Sequence, residues 1–271
     1  MGGDGEQMAG TTSFTELVRG PGLKAGMYLG EFASPGMGRI VREAGAEFVM
    51  VDMEHSGFTY ETVKMLLRGI HDAGLASVVR PPSKDYADLA RACDVGAQAL
   101  MPPMMNSAEE ARRAVACVRY PPAGIRGAAF GIAHDGYAPG SVRDKLEAAN
   151  RGTSIVALIE TRAGVENVDE IAAVDGVSCL FIGHFDLTLG MGIPGEFEHP
   201  EFVAARDRVI AAARRHGKAL GRLVPNPEEG ARLYRLGFEV ILYSGDIWLL
   251  QTALASGIER LRERCAEVER G

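Results

Sequence analysis

The stretch SIVALIETRAGVENVDEIAAVDGVSCLFIGHFD, residues 154–186, decides the fold. It opens on an unbroken apolar run (154–159), turns polar at Glu160, carries helical periodicity over 163–173, and returns to an apolar run (177–182) that stops at Gly183. A short continuous apolar run bounded by turn residues reads as a strand covered on both faces, and two such runs flanking a helix read as a parallel strand–helix–strand unit.

The same alternation extends in both directions. Strands are predicted near 26–32, 47–53, 76–80, 97–102, 154–160, 178–183, 218–223 and 238–244. Helical patterns lie near 36–45, 60–73, 85–94, 107–118, 163–173, 200–216, 227–236 and 246–264, with start signals at Asn106-Ser107 and Pro225-Asn226-Pro227. Eight strand–helix pairs without a linker or composition break predict an α/β fold, a single-domain (β/α)8 TIM barrel over 13–271. Residues 1–12, Gly-rich and without a basic start or apolar core, read as a disordered tail rather than a secretory signal. The Gly-, Ala- and Pro-rich stretch 121–140 is the longest irregular segment, a length more often functional than accidental.

Composition narrows the function classes. The 271 residues are 46% hydrophobic and 24% charged, and no apolar run reaches the roughly 20 residues of a membrane helix. A formal charge of −7 with scattered arginines argues against a nucleic-acid partner. Cys93, Cys117, Cys179 and Cys265 stand far apart with no C-x-x-C pair, which suits a reducing, cytoplasmic setting.

Barrel chemistry gathers at the C-terminal strand ends. Strand two ends in Asp52, Glu54 and His55, strand three in Arg80, strand five in Glu160, and strand six in Gly183 followed by His184 and Asp186. Glu160 and Asp186, on neighbouring strands, suit a hard divalent cation that keeps positions open for substrate. A 2-oxo acid fills those positions, the ion stabilising the enolate formed when an adjacent bond breaks. Arg80 adds a fixed positive charge beside the oxyanion, and His55 handles the proton. A Schiff-base lysine would project from a strand's C-terminal end, and Lys24, Lys64, Lys84, Lys145 and Lys218 all map elsewhere.

FVMVDMEHSGFTYETV, VVRPPSKDYADLARACDVGAQALMPPM, RYPPAGIRGAA, ALIETRAGVENVDEIAAVDGV and FIGHFDLTLGMGIPGEFEHPEF, in this order, resemble the HpcH/HpaI family of metal-dependent class II pyruvate aldolases over residues 14–260. The resemblance implies a metal (Mg2+, Mn2+ or Co2+) on Glu160 and Asp186, enolate stabilisation by Arg80, and a His55–Asp94 dyad that activates water. It places Asp52 close to that histidine and Arg126 near the acceptor side. It also implies a homo-oligomer, a trimer-of-dimers hexamer with exchanged C-terminal helices. The better-known members carry Gly-Pro-Ala-Asp where this chain has Gly183-His184-Phe185-Asp186. Backbone amides of this turn would hold the substrate carboxylate, and the two aromatic residues alter the shape and polarity beside it.

The expected reaction is reversible cleavage of a 4-hydroxy-2-oxo acid to pyruvate and an aldehyde. Two alternatives stay open: an oxaloacetate-decarboxylating, carbon–carbon bond-forming relative of citrate-forming or macrophomate type, and a non-catalytic 2-oxo acid binding barrel, which would need neither His55 nor Arg80. His184 and His134 are either acceptor-site or surface residues. Gly36-Met37-Gly38 imitates a dinucleotide fingerprint, but its third glycine position is Val41.

Overall fold

The computed structural model describes residues 12–270. Eight parallel strands close into one barrel in chain order: β1 (Lys24–Leu29), β2 (Phe48–Asp52), β3 (Ala76–Arg80), β4 (Ala99–Leu100), β5 (Ser154–Ile159), β6 (Val177–Ile182), β7 (Ala219–Val224) and β8 (Val240–Gly245). Around them run α1 (Phe14–Leu17), α2 (Met37–Glu43), α3 (Tyr60–Asp72), α4 (Tyr86–Asp94), α5 (Ala108–Val118), α6 (Val142–Gly152), α7 (Arg162–Glu166), α8 (Val168–Ala172), α9 (His184–Gly190), α10 (Pro200–His216), α11 (Pro227–Leu236) and α12 (Asp246–Arg270). The tail expected over 1–12 falls, Thr12 apart, outside the described residues.

The period-two geometry of a strand sorts the apolar runs into two cores. Val49, Val51, Val79, Leu100, Ile155, Ile159, Leu180 and Ile182 face outward against the helices, in one cluster with Leu66, Ile70 and Val168. Phe48, Met50, Val78, Ala99, Val156, Leu158, Phe181 and Leu242 point inward and fill the barrel. Each fully buried side chain of this size contributes roughly 1.5–3 kcal/mol. Below them Phe14 packs edge-on against Phe48, ring centroids 5.5 Å apart, so α1, started by a Ser13–Glu16 capping box, closes the N-terminal end.

The differences from the expected elements have local causes. Strand four is two residues long because Pro102 and Pro103 follow, and neither offers an N–H to the ladder. The helix expected over 163–173 breaks at Asn167 (φ −99°, ψ 8°), whose side chain donates to the Asn106 carbonyl at 2.8 Å. The unforeseen α6 is mostly polar, with a short apolar stripe of Val142, Leu146 and Ala149, and buries no residue fully. The stretch 121–140 carries only a single 3-10 turn at Ala133–Asp135.

Candidate active site

Asp52 and Arg80 sit opposite each other in the β2–β3 register, both on the inward parity set by Phe48 and Met50 and by Ala76 and Val78. The guanidinium forks onto the carboxylate: Arg80 Nε reaches Asp52 Oδ1 at 2.7 Å and Nη2 reaches Oδ2 at 2.8 Å. The Tyr28 hydroxyl donates to the same Oδ2 at 2.7 Å, and the backbone N–H of Glu54 donates to Oδ1 at 3.0 Å. Asp52 is fully buried. Burial alone would raise its pKa, but the Arg80 fork, the Tyr28 hydroxyl and the Glu54 amide together hold it below the usual carboxylate range. Arg80 also reaches Glu54 Oε2 at 3.2 Å, and His55 Nε2 lies 3.8 Å from that oxygen. The His55 side chain is 62% exposed and open to solvent.

Glu160, the residue after β5, continues the inward parity of Val156 and Leu158 but has no cationic partner at contact distance among the described residues. It is 4% exposed, and Met104 donates its backbone N–H to Oε1 at 2.7 Å. Burial first, then the like charges of Asp186 and Glu54, push its pKa up to about 7 despite that hydrogen bond. Asp186 lies exposed in the first turn of α9, within electrostatic reach of both Glu160 and Glu54. Gly183 is required by contact: a Cβ there would lie 2.4 Å from Glu160 Oε2. Met104 holds its position at a φ of 51°, the left-handed region a side chain avoids, and Lys84 donates to its carbonyl at 2.8 Å.

Among the described residues no group of three or more His, Cys, Asp or Glu is placed to hold a metal ion. A pair of carboxylates is nevertheless the donor set of a hard cation that leaves most of its shell to water and substrate. A carboxylate lifted toward neutrality by burial and, after it, by like-charged neighbours is the condition a divalent cation relieves, so Glu160 and Asp186 fit such an ion.

The other predicted residues lie apart. Helix α4 runs back from the end of β3 to the start of β4, which puts Asp94, its last residue, on the N-terminal side and away from His55. Asp94 pairs there with buried Arg126 at 2.7 Å, and Arg126 lies over the Tyr120 ring at 4.6 Å. His134 joins this group through the Tyr120 hydroxyl, 3.3 Å away, beside a 380 Å³ cavity lined by Arg126, Asp135 and Lys145. His184 is buried between Phe185 and Phe197, centroids 4.5 and 4.9 Å away, and burial with the nearby Arg222 charge brings its pKa down to about 3. Phe185 remains 58% exposed next to Asp186.

Sequence reasoning missed Tyr28 and Met104. Tyr28 shares the inward parity of β1, a signal available from the alternation; Met104 acts through its backbone, which no residue type announces.

The model of the HpcH/HpaI aldolase/citrate lyase family matches residues 24–250. The chain is 35% identical over 252 residues to 4-hydroxy-2-oxo-heptane-1,7-dioate aldolase of Salmonella dublin, covering 93% of this chain and 94% of the relative. The solved HpcH/HpaI aldolase of Desulfitobacterium hafniense superposes at a TM-score of 0.87 with 32% identity, covering 93% of this chain and 97% of that one. Macrophomate synthase superposes at 0.80 with 26% identity, covering 90% and 85%. The chain belongs to the HpcH/HpaI aldolase/citrate lyase family, a family of carbon–carbon lyases.

Proposed function

We propose that this protein is a divalent-metal-dependent aldolase that reversibly cleaves a 4-hydroxy-2-oxo acid into pyruvate and an aldehyde. The observation that carries the reading is the buried, unpaired Glu160 beside Asp186, across the mouth from the Arg80 guanidinium. Bound by those carboxylates, Mg2+, Mn2+ or Co2+ supplies Lewis acidity at the 2-oxo group. Arg80, fixed by Asp52, faces the oxygen on which charge develops as the C3–C4 bond breaks. His55, open to solvent, takes the proton of the 4-hydroxyl directly or through water, and the aldehyde leaves. A proton returned to C3 completes pyruvate. The N–H groups of the 183–186 turn suit the substrate carboxylate, with His184 and Phe185 shaping the acceptor side. Pyruvate released from 4-hydroxy-2-oxoheptanedioate, abolished by chelator and restored by Mg2+ or Mn2+, tests this reading; no release with any metal contradicts it.

The aromatic pair beside Asp186 and the similarity to macrophomate synthase support a second reading, in which the same site generates the enolate by decarboxylating oxaloacetate. Carbon dioxide released faster than pyruvate is exchanged separates the two.

A His55–Asp94 dyad requires two copies of the chain, because the two residues lie at opposite ends of one barrel. Arg126, held to Asp94, would accompany it to the acceptor side of the neighbour's site. Helix α12 supports such an assembly: Leu250, Leu254, Ile258 and Leu261 are exposed along it, and an apolar groove of 580 Å³ lined by Met27, Met37, Ile40 and Val41 lies open at its root. The proposed occupant is α12 of a second copy, within a trimer-of-dimers hexamer working in the cytoplasm. No helix of the described residues is long and apolar enough to cross a membrane. A monomer by sedimentation at micromolar concentration contradicts the assembly.

A further inference from the structure

Tyr28 has no part in the chemistry above, yet the chain keeps a close-fitting slot for it. Its hydroxyl donates to Asp52 Oδ2, and its ring lies tilted by 33° against Trp248 in the first turn of α12, centroids 5.3 Å apart. Two glycines clear the space. A Cβ on Gly30 would lie 2.5 Å from the Tyr28 oxygen, and one on Gly245 would lie 2.7 Å from the Tyr28 ring and 2.8 Å from the indole. The start of α12 is itself pinned to the mouth, because Asp246 accepts from the backbone N–H groups of Gly30, Glu31 and Phe32 at 3.2, 2.9 and 2.7 Å. Burial, then the Asp52 charge, raises the Tyr28 pKa, so the phenol stays a donor at working pH.

We propose that Tyr28 is a positioning residue, clamping Asp52 and through it the Arg80 guanidinium, while Trp248 at the root of α12 braces the phenol ring. Both Asp52 oxygens are taken: Oδ1 by Arg80 and Glu54, Oδ2 by Arg80, Tyr28 and, at a longer 3.3 Å, the His55 backbone N–H. With every donor in place the carboxylate cannot rotate, and the two-pronged fork holds the guanidinium plane in one orientation. Without the Tyr28 hydroxyl, Oδ2 loses its shortest hydrogen bond and keeps only Arg80 Nη2, which moves with it, and the long bond from the His55 N–H, so the carboxylate can swing with Arg80 attached. The inference rests on the reading of Arg80 as the group that faces the enolate oxygen.

The test is Tyr28→Phe, which keeps the ring against Trp248 and removes only the hydroxyl. In metal-dependent exchange of the pyruvate methyl protons, kcat falls about tenfold while KM stays within about twofold, the signature of an interaction made mainly in the transition state. A merely structural Tyr28 would lower the melting temperature and leave kcat at the parental value, and that result overturns the proposal. A second measurement does not depend on turnover. Trp248 is the chain's sole tryptophan, so its emission reports the contact with Tyr28. Arg80→Lys, which cannot fork onto Asp52, shifts that emission when Tyr28 is present and leaves it unshifted in the Tyr28→Phe background. Equal shifts in both backgrounds overturn the clamp. A parent protein without exchange removes the functional reading, and the emission experiment still decides the clamp.

Discussion

The two sides of the barrel mouth are built on opposite electrostatic terms. On the β2–β3 side every charge is answered: Asp52 is saturated by Arg80, Tyr28 and two backbone amides, and Arg80 also meets Glu54. On the β5–β6 side Glu160 is buried with one backbone donor, beside like-charged Asp186, against a strained Met104 and a glycine that cannot carry a side chain. A satisfied ion pair fixes geometry; an unsatisfied pair of carboxylates stores an appetite for a cation. One mouth thus combines a rigid, satisfied half and an incomplete half, which we propose position and bind respectively.

The largest expected effect breaks the incomplete half. Glu160→Gln keeps an acceptor for the Met104 N–H but removes the charge, so metal-dependent pyruvate exchange falls by about a thousandfold or more. The apo melting temperature holds or rises, since the cost of burying that charge is gone; a variant that melts early instead would place Glu160 on the structural side of the comparison.

Next comes the rigid half. Arg80→Ala strands a buried Asp52 carboxylate and costs about 3–5 kcal/mol of unfolding free energy by urea titration. The double variant Arg80→Ala/Asp52→Asn recovers much of that stability and none of the activity. Stability that stays lost in the double variant would mean the pair holds the fold by packing rather than by charge.

A smaller effect sharpens the boundary between the halves. Gly183→Ala forces a methyl against Glu160 Oε2, turning one ligand away and weakening metal affinity about 10–100-fold by calorimetry, with the ion pair at Asp52 untouched. Unchanged affinity would show that Glu160 has room to move.

The smallest is a control away from the mouth. His71, in the last turn of α3, hydrogen-bonds Ser77 at 2.9 Å, and burial brings its pKa down to about 4 from 6.5. Its contribution is complete above pH 6.5 and is lost as the unfolded chain takes up the proton first, from pH 6.5 down through about 4. His71→Gln should flatten that loss by on the order of 2 kcal/mol in chemical denaturation at pH 7 and 4.5, without changing exchange at pH 7. An equal loss in parent and variant would assign the acid limb to other groups.

The barrel was legible because its signal is repeated: eight apolar runs, each ending in a turn, leave little choice of architecture. Glu160, Asp186, Arg80 and Asp52 were legible for a related reason, since strand ends in a barrel share one mouth. The strand parity that joins Phe48 and Met50 to Asp52, and Val156 and Leu158 to Glu160, explains why these side chains turn inward. What resisted reading acts without a residue-type signature. Met104 contributes an N–H, Gly183 contributes an absence, and α6 has no fully buried residue. Asp94 and Arg126 were named through the resemblance, and the fold puts them together at the end of the barrel opposite His55.

The central claim, that the incomplete half of the mouth takes a cation and makes an enolate, is tested most directly by NMR of pyruvate with the parent protein in deuterated water. The account predicts methyl-proton exchange that stops with chelator, returns with Mg2+ or Mn2+, and needs no aldehyde. Exchange that persists in full after chelation, or that fails with every divalent metal, would contradict it.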